Sequence, residues 1–329
     1  MLTDIIQLLD NIKQILTCWC AGYWREICAK KGSRCYRAVH FIHGIWDKKT
    51  LYWLAMFFLV VFIWMLIYRP KPEKDNRYSI PFPKECHIEL NEEDVKNKIL
   101  FVIGDVHGCF DELVELLHLA EKEATGNQIL PIFVGDLINK GPKNVEVLRK
   151  VRSMDAYVVR GNHEEVVLRE ILRQKLDESY ESQFKYNWAK ELTDEDISYL
   201  QELPYTISIP LFNSIIVHAG LVPEVRLEDQ DFRNMVSMRN LEKHGDKLVA
   251  TSKVFKEDRL EPESPPWGSV WKGPEHVYYG HDATRKLQIY ARATGLDTGC
   301  VYGGELTGIF LNGPKKIISV KARKIYKQP

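Results

Sequence analysis

A chain of 329 residues, 45% hydrophobic and 27% charged, has room for one large domain plus appendages and the composition of an ordinary globular protein with something added. Its 45 basic and 45 acidic residues cancel. This excludes a global electrostatic pull toward nucleic acid and leaves any affinity for a polyanion to a local site.

The N-terminal tail, 1–50, opens with Leu2, Ile5, Ile6, Leu9, Ile12 and Leu16 at helical spacing. That pattern predicts an amphipathic helix that lies on a membrane or pairs with a partner helix. Cys18, Cys20, Cys28 and Cys35 follow at spacings that match no zinc module, and we read them as reduced thiols. Leu51 to Tyr68 is eighteen residues without a charge, with Tyr52, Trp53, Trp64 and Tyr68 near its ends. Length and aromatic placement predict a single transmembrane helix over 51–68, retained because it begins too far from Met1 for a cleaved signal. A lipid bilayer is then an expected partner, and the chain an expected single-pass membrane protein.

Positive charge is equal on the two sides of the stretch, so it does not orient the chain. A type II arrangement with a luminal catalytic part stands against the cytosolic face suggested by scattered Cys86, Cys109 and Cys300 and by the lack of an Asn-x-Ser/Thr sequon. Residues 69–86 are rich in proline and charge and read as a stalk.

From 87 to 329 strands and helices alternate. Ile99–Ile103 is an apolar run that ends in Gly104-Asp105-Val106-His107-Gly108. Phe110 to Glu123 carries Leu113, Leu116, Leu117 and Ala120 on one helical face. Strand Gln128–Val134, helix Pro142–Val151 and strand Ala156–Arg160 follow. This β-α-β-α-β order implies a mainly parallel sheet with ligands at the C-terminal ends of its strands. Residues 166–203 form a charged helical insertion expected to roof the site, tied down by Trp188 and Tyr199. Strands Ser214–Val217 and His276–Tyr279 belong to the second half.

Each later apolar strand also ends in a potential ligand. FVGDLINKG supplies Asp136, VVRGNHE supplies Asn162 and His163, IIVHAG supplies His218, and VYYGHDA supplies His281. One such triplet is commonly chance. Five in one order, each after a strand, are a site. Two carboxylates, three imidazoles and one amide suit manganese, zinc or iron without requiring a thiolate, and a shared aspartate can bridge two cations for in-line displacement at phosphorus.

The ordered set GDVHG, GDLINKG, GNHE, HAG and GHDA resembles the calcineurin-like metallophosphoesterases of the phosphoprotein-phosphatase branch. YYGHDATRKLQ and ATGLDTGCVYGGELT are more similar to the diadenosine-tetraphosphatase-like enzymes than to protein serine/threonine phosphatases, and the layout is similar to the fungal membrane-anchored endopolyphosphatase. The resemblance implies an α/β fold of four layers, two central sheets flanked by helices, preceded here by the transmembrane helix. It implies that Asp105 and His107 bind one divalent metal ion, Asn162, His218 and His281 a second, and that Asp136 bridges them. His163 would be the general acid, with Asn162 beside it, and a metal-bridging hydroxide the nucleophile.

The second motif departs from the family pattern, with Asn139-Lys140 where protein phosphatases have Asp-Arg. An amide cannot polarise His163 as a carboxylate does, and Lys140 lacks the planar fork of arginine. The departure favours phosphoanhydride bonds, in inorganic polyphosphate or dinucleoside polyphosphates, over phosphoserine. Lys140 and Arg239 are candidate phosphate binders. Arg160 is expected to brace its loop by an ion pair, and Asp282 and Asp297 to orient His281 or its neighbours. Cys109 and Cys300 read as packing residues, and a glycine-rich hairpin would bring Tyr302 to the mouth of the site. The alternatives are a protein serine/threonine phosphatase, RNA decapping without an evident nucleic-acid-binding tract, and a catalytically silent membrane scaffold.

Overall fold

The computed structural model describes residues 80–328 except 178, 181–182, 246, 254–263 and 315, together with Met56. The chain divides into two units, Met1–Asp75 and Asn76–Pro329, and every described residue but Met56 lies in the second.

The first strands are β1 (His87–Glu89), β2 (Lys98–Ile103), β3 (Gln128–Phe133) and β4 (Tyr157–Val158). Helices α1 (Phe110–Glu123) and α2 (Asn144–Arg152) connect β2, β3 and β4, which pair in parallel as the alternation predicts. Helix α3 (Asn162–Leu176), a 3-10 segment Phe184–Glu191 and helix α4 (Asp194–Glu202) follow. The second half supplies β5 (Thr206–Ile209), β6 (Ser214–Val217), α5 (Phe232–Ser237), the hairpin β7 (Asn240–His244) and β8 (Lys247–Thr251), and α6 (Trp267–Val270). The last strands are β9 (His276–Tyr279), β10 (Gln288–Ile289), β11 (Ala293–Gly295), β12 (Glu305–Phe310) and β13 (Ile317–Lys321).

One sheet runs β13-β12-β2-β3-β4 and the other β1-β5-β6-β9-β11-β10. Both are mixed, because β12 returns antiparallel to β2 and β5 antiparallel to β6. The period of two along β2 explains its unbroken apolar run. Leu100 and Val102 pack with Ile207, Ile209 and Ile216 of the other sheet, while Phe101 and Ile103 pack with Leu113, Leu116 and Leu148 of the helices. Beyond the six-stranded sheet, Val217, Val277 and Tyr279 are covered by Met235 and Trp267. The two flanks are therefore unequal, with long helices on one side and short α5 and α6 on the other.

The described residues of the charged insertion form no roof. Its helix begins at Asn162 itself, and Trp188 and Tyr199 pack on the cluster that joins α1 and α2 to their sheet. No described residue of 166–203 lines the cavity reported below. The apolar faces of α3 and α4 draw the segment onto the sheet's helical flank instead.

The expectations of an amphipathic helix over the first residues and of a span over 51–68 fall outside the described residues, Met56 excepted. Among the described residues no helix is long and apolar enough to cross a membrane. The single-pass placement, its luminal or cytosolic alternatives and the bilayer partner are accordingly corrected. Length, hydropathy and aromatic placement carried them, and the described residues contain no helix of that kind.

Candidate active site

The motif residues meet at the C-terminal ends of β2, β3, β4, β6 and β9. His107, Asp136 and His281 have φ of 47°, 48° and 68°, the left-handed region that residues with a Cβ seldom enter. Each such residue turns the chain back at a strand end and aims its side chain over the sheet edge. Two glycines allow the close approach, since a Cβ on Gly280 would overlap Asp105 Oδ1 and one on Gly161 would overlap Asp136 Oδ1.

Asp136 Oδ2 lies 3.5 Å from Nε2 of both His107 and His218, and 4.0 Å from Nε2 of His163. It stands between two groups of potential ligands. In the first, Asp105 Oδ2 is 4.0 Å from His107 Nε2, and the His107 Nδ1 is 3.2 Å from the Ile138 carbonyl. In the second, Asn162 Oδ1 lies 3.0 Å from His218 Nε2 and 2.9 Å from His281 Nδ1. The remaining ring nitrogens face carbonyls, His218 Nδ1 at 2.8 Å from Val134 O and His281 Nε2 at 3.2 Å from Ser237 O.

A carbonyl can only accept, so each ring nitrogen facing one carries the proton of its neutral imidazole. His218 Nε2, His281 Nδ1 and Asn162 Oδ1 then converge with three lone pairs and no hydrogen among them. Such an arrangement is repulsive unless a cation lies in it, and it is the donor set that a divalent metal uses. Burial lowers the pKa of His107, His218 and His281, which keeps these imidazoles available as ligands.

The carboxylates carry the same message. Burial, then Asp297 and Asp136, raises the Asp105 carboxyl well above its ordinary value, and burial raises Asp297 to about 6. Burial also pushes on Asp136, but His218, His163, His107 and Lys140 hold its carboxyl below the usual range. Three buried acids face few positive charges, and two cations would relieve that excess.

Lys140 Nζ donates to His107 Nε2 over 2.9 Å and lies 5.3 Å from the Tyr302 ring centroid. Asn139 Nδ2 donates to His163 Nδ1 over 2.8 Å, while Asn139 Oδ1 accepts the Lys140 N–H at 2.9 Å. The second bond fixes which end of the amide faces the ring. His163 N–H donates to Asp136 Oδ1 at 2.9 Å, and burial lowers the imidazole pKa to about 4.

A cavity of about 530 Å³ opens over this array, with Asp136, Asn162, His163, His281, Lys140 and Arg239 on its wall. Arg239 is held by the His281 and Ser252 carbonyls at 3.3 and 3.2 Å and lies 3.7 Å from Asp282. Asp282 also pairs with Arg285, so it positions arginines and not the His281 ring. Asp297 accepts the Gly299 N–H at 3.0 Å and lines the cavity.

Arg160 departs from the expected ion pair. It is wholly buried, donates to the carbonyl of Gln201 and lies 5.2 Å from the Tyr205 ring centroid. Tyr205 in turn donates to Glu165 over 2.8 Å. The brace exists, but its partners are a carbonyl and an aromatic face, away from the cavity.

Glu164 was not anticipated from the sequence. Its two oxygens accept the N–H groups of Gly161, Asp136 and Leu137 at 2.9 Å and of Ile138 at 3.4 Å. Burial and the Asp136 charge push its carboxyl up to about 8, while four converging N–H donors favour the anion. With both oxygens engaged by donors, we assign the ionised form. The signal was present as the acidic third residue of a helix that starts at GNHE.

Comparison with known proteins settles the family. Residues 99–305 match the model of the calcineurin-like phosphoesterases. The chain belongs to that family. A bis(5'-nucleosyl)-tetraphosphatase PrpE [asymmetrical] of Halalkalibacterium halodurans is 31% identical over 230 residues, 63% of this chain and 88% of that protein. A symmetrical bis(5'-nucleosyl)-tetraphosphatase of Coxiella burnetii is 30% identical over 260 residues, 64% and 88% of the two chains. A crystal structure provisionally described as a diadenosine tetraphosphatase superposes with a TM-score of 0.60 at 34% identity, covering 72% of this chain and 98% of the other. This calcineurin-like phosphoesterase has the mixed α/β fold of its family and is a metal-dependent phosphohydrolase. The family's dinuclear divalent centre finds two candidate groups here, His107-Asp136-His163 and Asp136-His218-His281.

Proposed function

We propose that this chain hydrolyses phosphoanhydride bonds of dinucleoside polyphosphates, with inorganic polyphosphate as a second substrate of the same bond type. Asp105 and His107 would hold one divalent cation, Asn162, His218 and His281 the other, and Asp136 both. Nitrogen and oxygen donors suit manganese, zinc or iron. When bound, two such ions supply Lewis acidity and a nucleophilic oxygen near neutral pH.

The contact between Asn139 and His163 carries the reading. Because the amide donates to Nδ1, the neutral imidazole holds its proton on Nε2, the atom 4.0 Å from Asp136 Oδ2. A second proton on Nδ1 would face an N–H, so the strongly acidic imidazolium is disfavoured. His163 is then a weak proton donor, adequate for a phosphate leaving group and poorly matched to a serine alkoxide. The tetraphosphatase names of the relatives support the same substrate class.

Lys140 and Arg239 supply positive charge on the cavity wall. An ammonium and a cation cannot share His107 Nε2, so a metal ion held by His107 would leave Lys140 available to a phosphate oxygen. The test is Asp136→Asn, which should abolish hydrolysis of diadenosine tetraphosphate while leaving the circular dichroism spectrum unchanged. Wild-type turnover in that variant contradicts the two-metal reading.

A further inference from the structure

We infer that Tyr302 is a stacking platform for the nucleobase of the substrate and so separates nucleoside polyphosphates from inorganic ones. This rests on the phosphoanhydride reading above. Apart from the imidazoles of His163 and His281, Tyr302 is the only aromatic side chain among the described residues that line the cavity. The phosphate chain of a nucleotide needs cations, which Lys140, Arg239 and Lys286 offer on the same wall. Its base needs a π face, which Tyr302 offers there apart from the two imidazoles at the candidate metal centre.

The ring sits close to the reacting centre. Lys140 Nζ is 2.9 Å from His107 Nε2 and 5.3 Å from the Tyr302 centroid, so that nitrogen and the ring centre are about 8 Å apart at most. The ring is therefore within reach of a nucleoside whose phosphate chain touches the candidate metal ligands.

The backbone under the ring is fixed. Tyr302 ends a 3-10 turn, Cys300–Tyr302, between Gly299 and Gly303 at φ 74° and 88°. The Tyr302, Gly303 and Gly304 N–H groups donate to Gly299, Cys300 and Gly299 carbonyls at 2.9, 2.9 and 3.0 Å. Val301 O accepts from Tyr326 and Lys327 N–H, each at 3.0 Å. A ring with two side-chain torsions on such a turn loses little freedom when a base covers it. Because every base has a π face, the platform recognises nucleotides without selecting among bases.

The test measures binding by titration calorimetry on the full chain loaded with manganese. The probes are adenosine 5'-(α,β-methylene)diphosphate and methylenediphosphonate, which share the phosphate portion and differ in the nucleoside. The wild type should bind the nucleotide about tenfold more tightly or better, the scale of one base–aromatic stack. Tyr302→Phe should keep that preference, and Tyr302→Leu, which fills similar space without a π face, should lose it, with thermal melting confirming that both variants fold. Equal wild-type affinities, or a preference that survives in Tyr302→Leu, overturn the inference. Nucleotide binding through Tyr302 without hydrolysis of diadenosine tetraphosphate would sink the proposed function and leave the platform standing. Hydrolysis with binding indifferent to Tyr302 would do the reverse.

Discussion

The side-chain amide of Asn139 donates to Nδ1 of His163 across 2.8 Å, in an orientation that the Lys140 N–H fixes from the other end. A single oxygen-to-nitrogen change relative to a carboxylate thus sets which ring nitrogen carries the proton. Asn139→Asp would let Nδ1–H donate to a carboxylate and raise the His163 pKa. General acid catalysis contributes about 10²–10⁴-fold in such sites, so the ratio of kcat/KM for a phosphoserine peptide to that for diadenosine tetraphosphate should rise about tenfold or more. Steady-state kinetics on both substrates measures it, and an unchanged ratio means that the amide does not govern leaving-group preference.

Glu164 holds the Asp136 turn and the start of α3 together through four N–H groups. Glu164→Gln leaves two of those donors facing an NH2 in a fully buried place. We expect a loss of about 2–4 kcal/mol of stability, the scale of buried unsatisfied donors, and lower metal retention through a displaced Asp136. Urea unfolding and metal content of the purified variant report the two effects. A loss under about 0.5 kcal/mol would show that the turn stands without the carboxylate.

Asp196 gives a pH dependence away from the site. Burial pushes its carboxyl up, but the Thr193 N–H, Arg149 and Arg152 outweigh this and hold it below the ordinary carboxylate range. Arg149 and Arg152 lie 3.1 and 2.9 Å away. A depressed folded-state pKa adds stability that is complete above the unfolded value, about 4, and is lost as pH falls through the folded value. Asp196→Asn should therefore destabilise the chain by about 1–2 kcal/mol at pH 7, with the gap to wild type closing as acid protonates Asp196. Denaturant melts across pH 2–7 check it, and a gap independent of pH would assign the contribution to packing.

Much of this was legible before the fold was known, for a physical reason. Apolar runs such as ILFVI must be buried on both faces, and a polar residue at such a strand's end has nowhere to go but the sheet edge. The convergence of Asp105, His107, Asp136, Asn162, His218 and His281 followed from that rule. The left-handed backbone of His107, Asp136 and His281 themselves was not legible, because the glycines of these turns, Gly108, Gly135 and Gly280, occupy the neighbouring positions. Nor were the partners of the Arg160 brace, since a sequence does not say whether an arginine meets a carboxylate or a carbonyl and a ring. The charged insertion misled for a related reason: its surface charges concealed the apolar faces that dock it on α2.

A preference of the site for anhydrides over phosphoserine shows in a single pair of rates. The full chain, reconstituted with manganese or zinc, is assayed for kcat/KM on diadenosine tetraphosphate and on a phosphoserine peptide in one buffer. The dinucleotide should give the higher value; a higher value on the phosphoserine peptide would mean that the site does not prefer anhydrides.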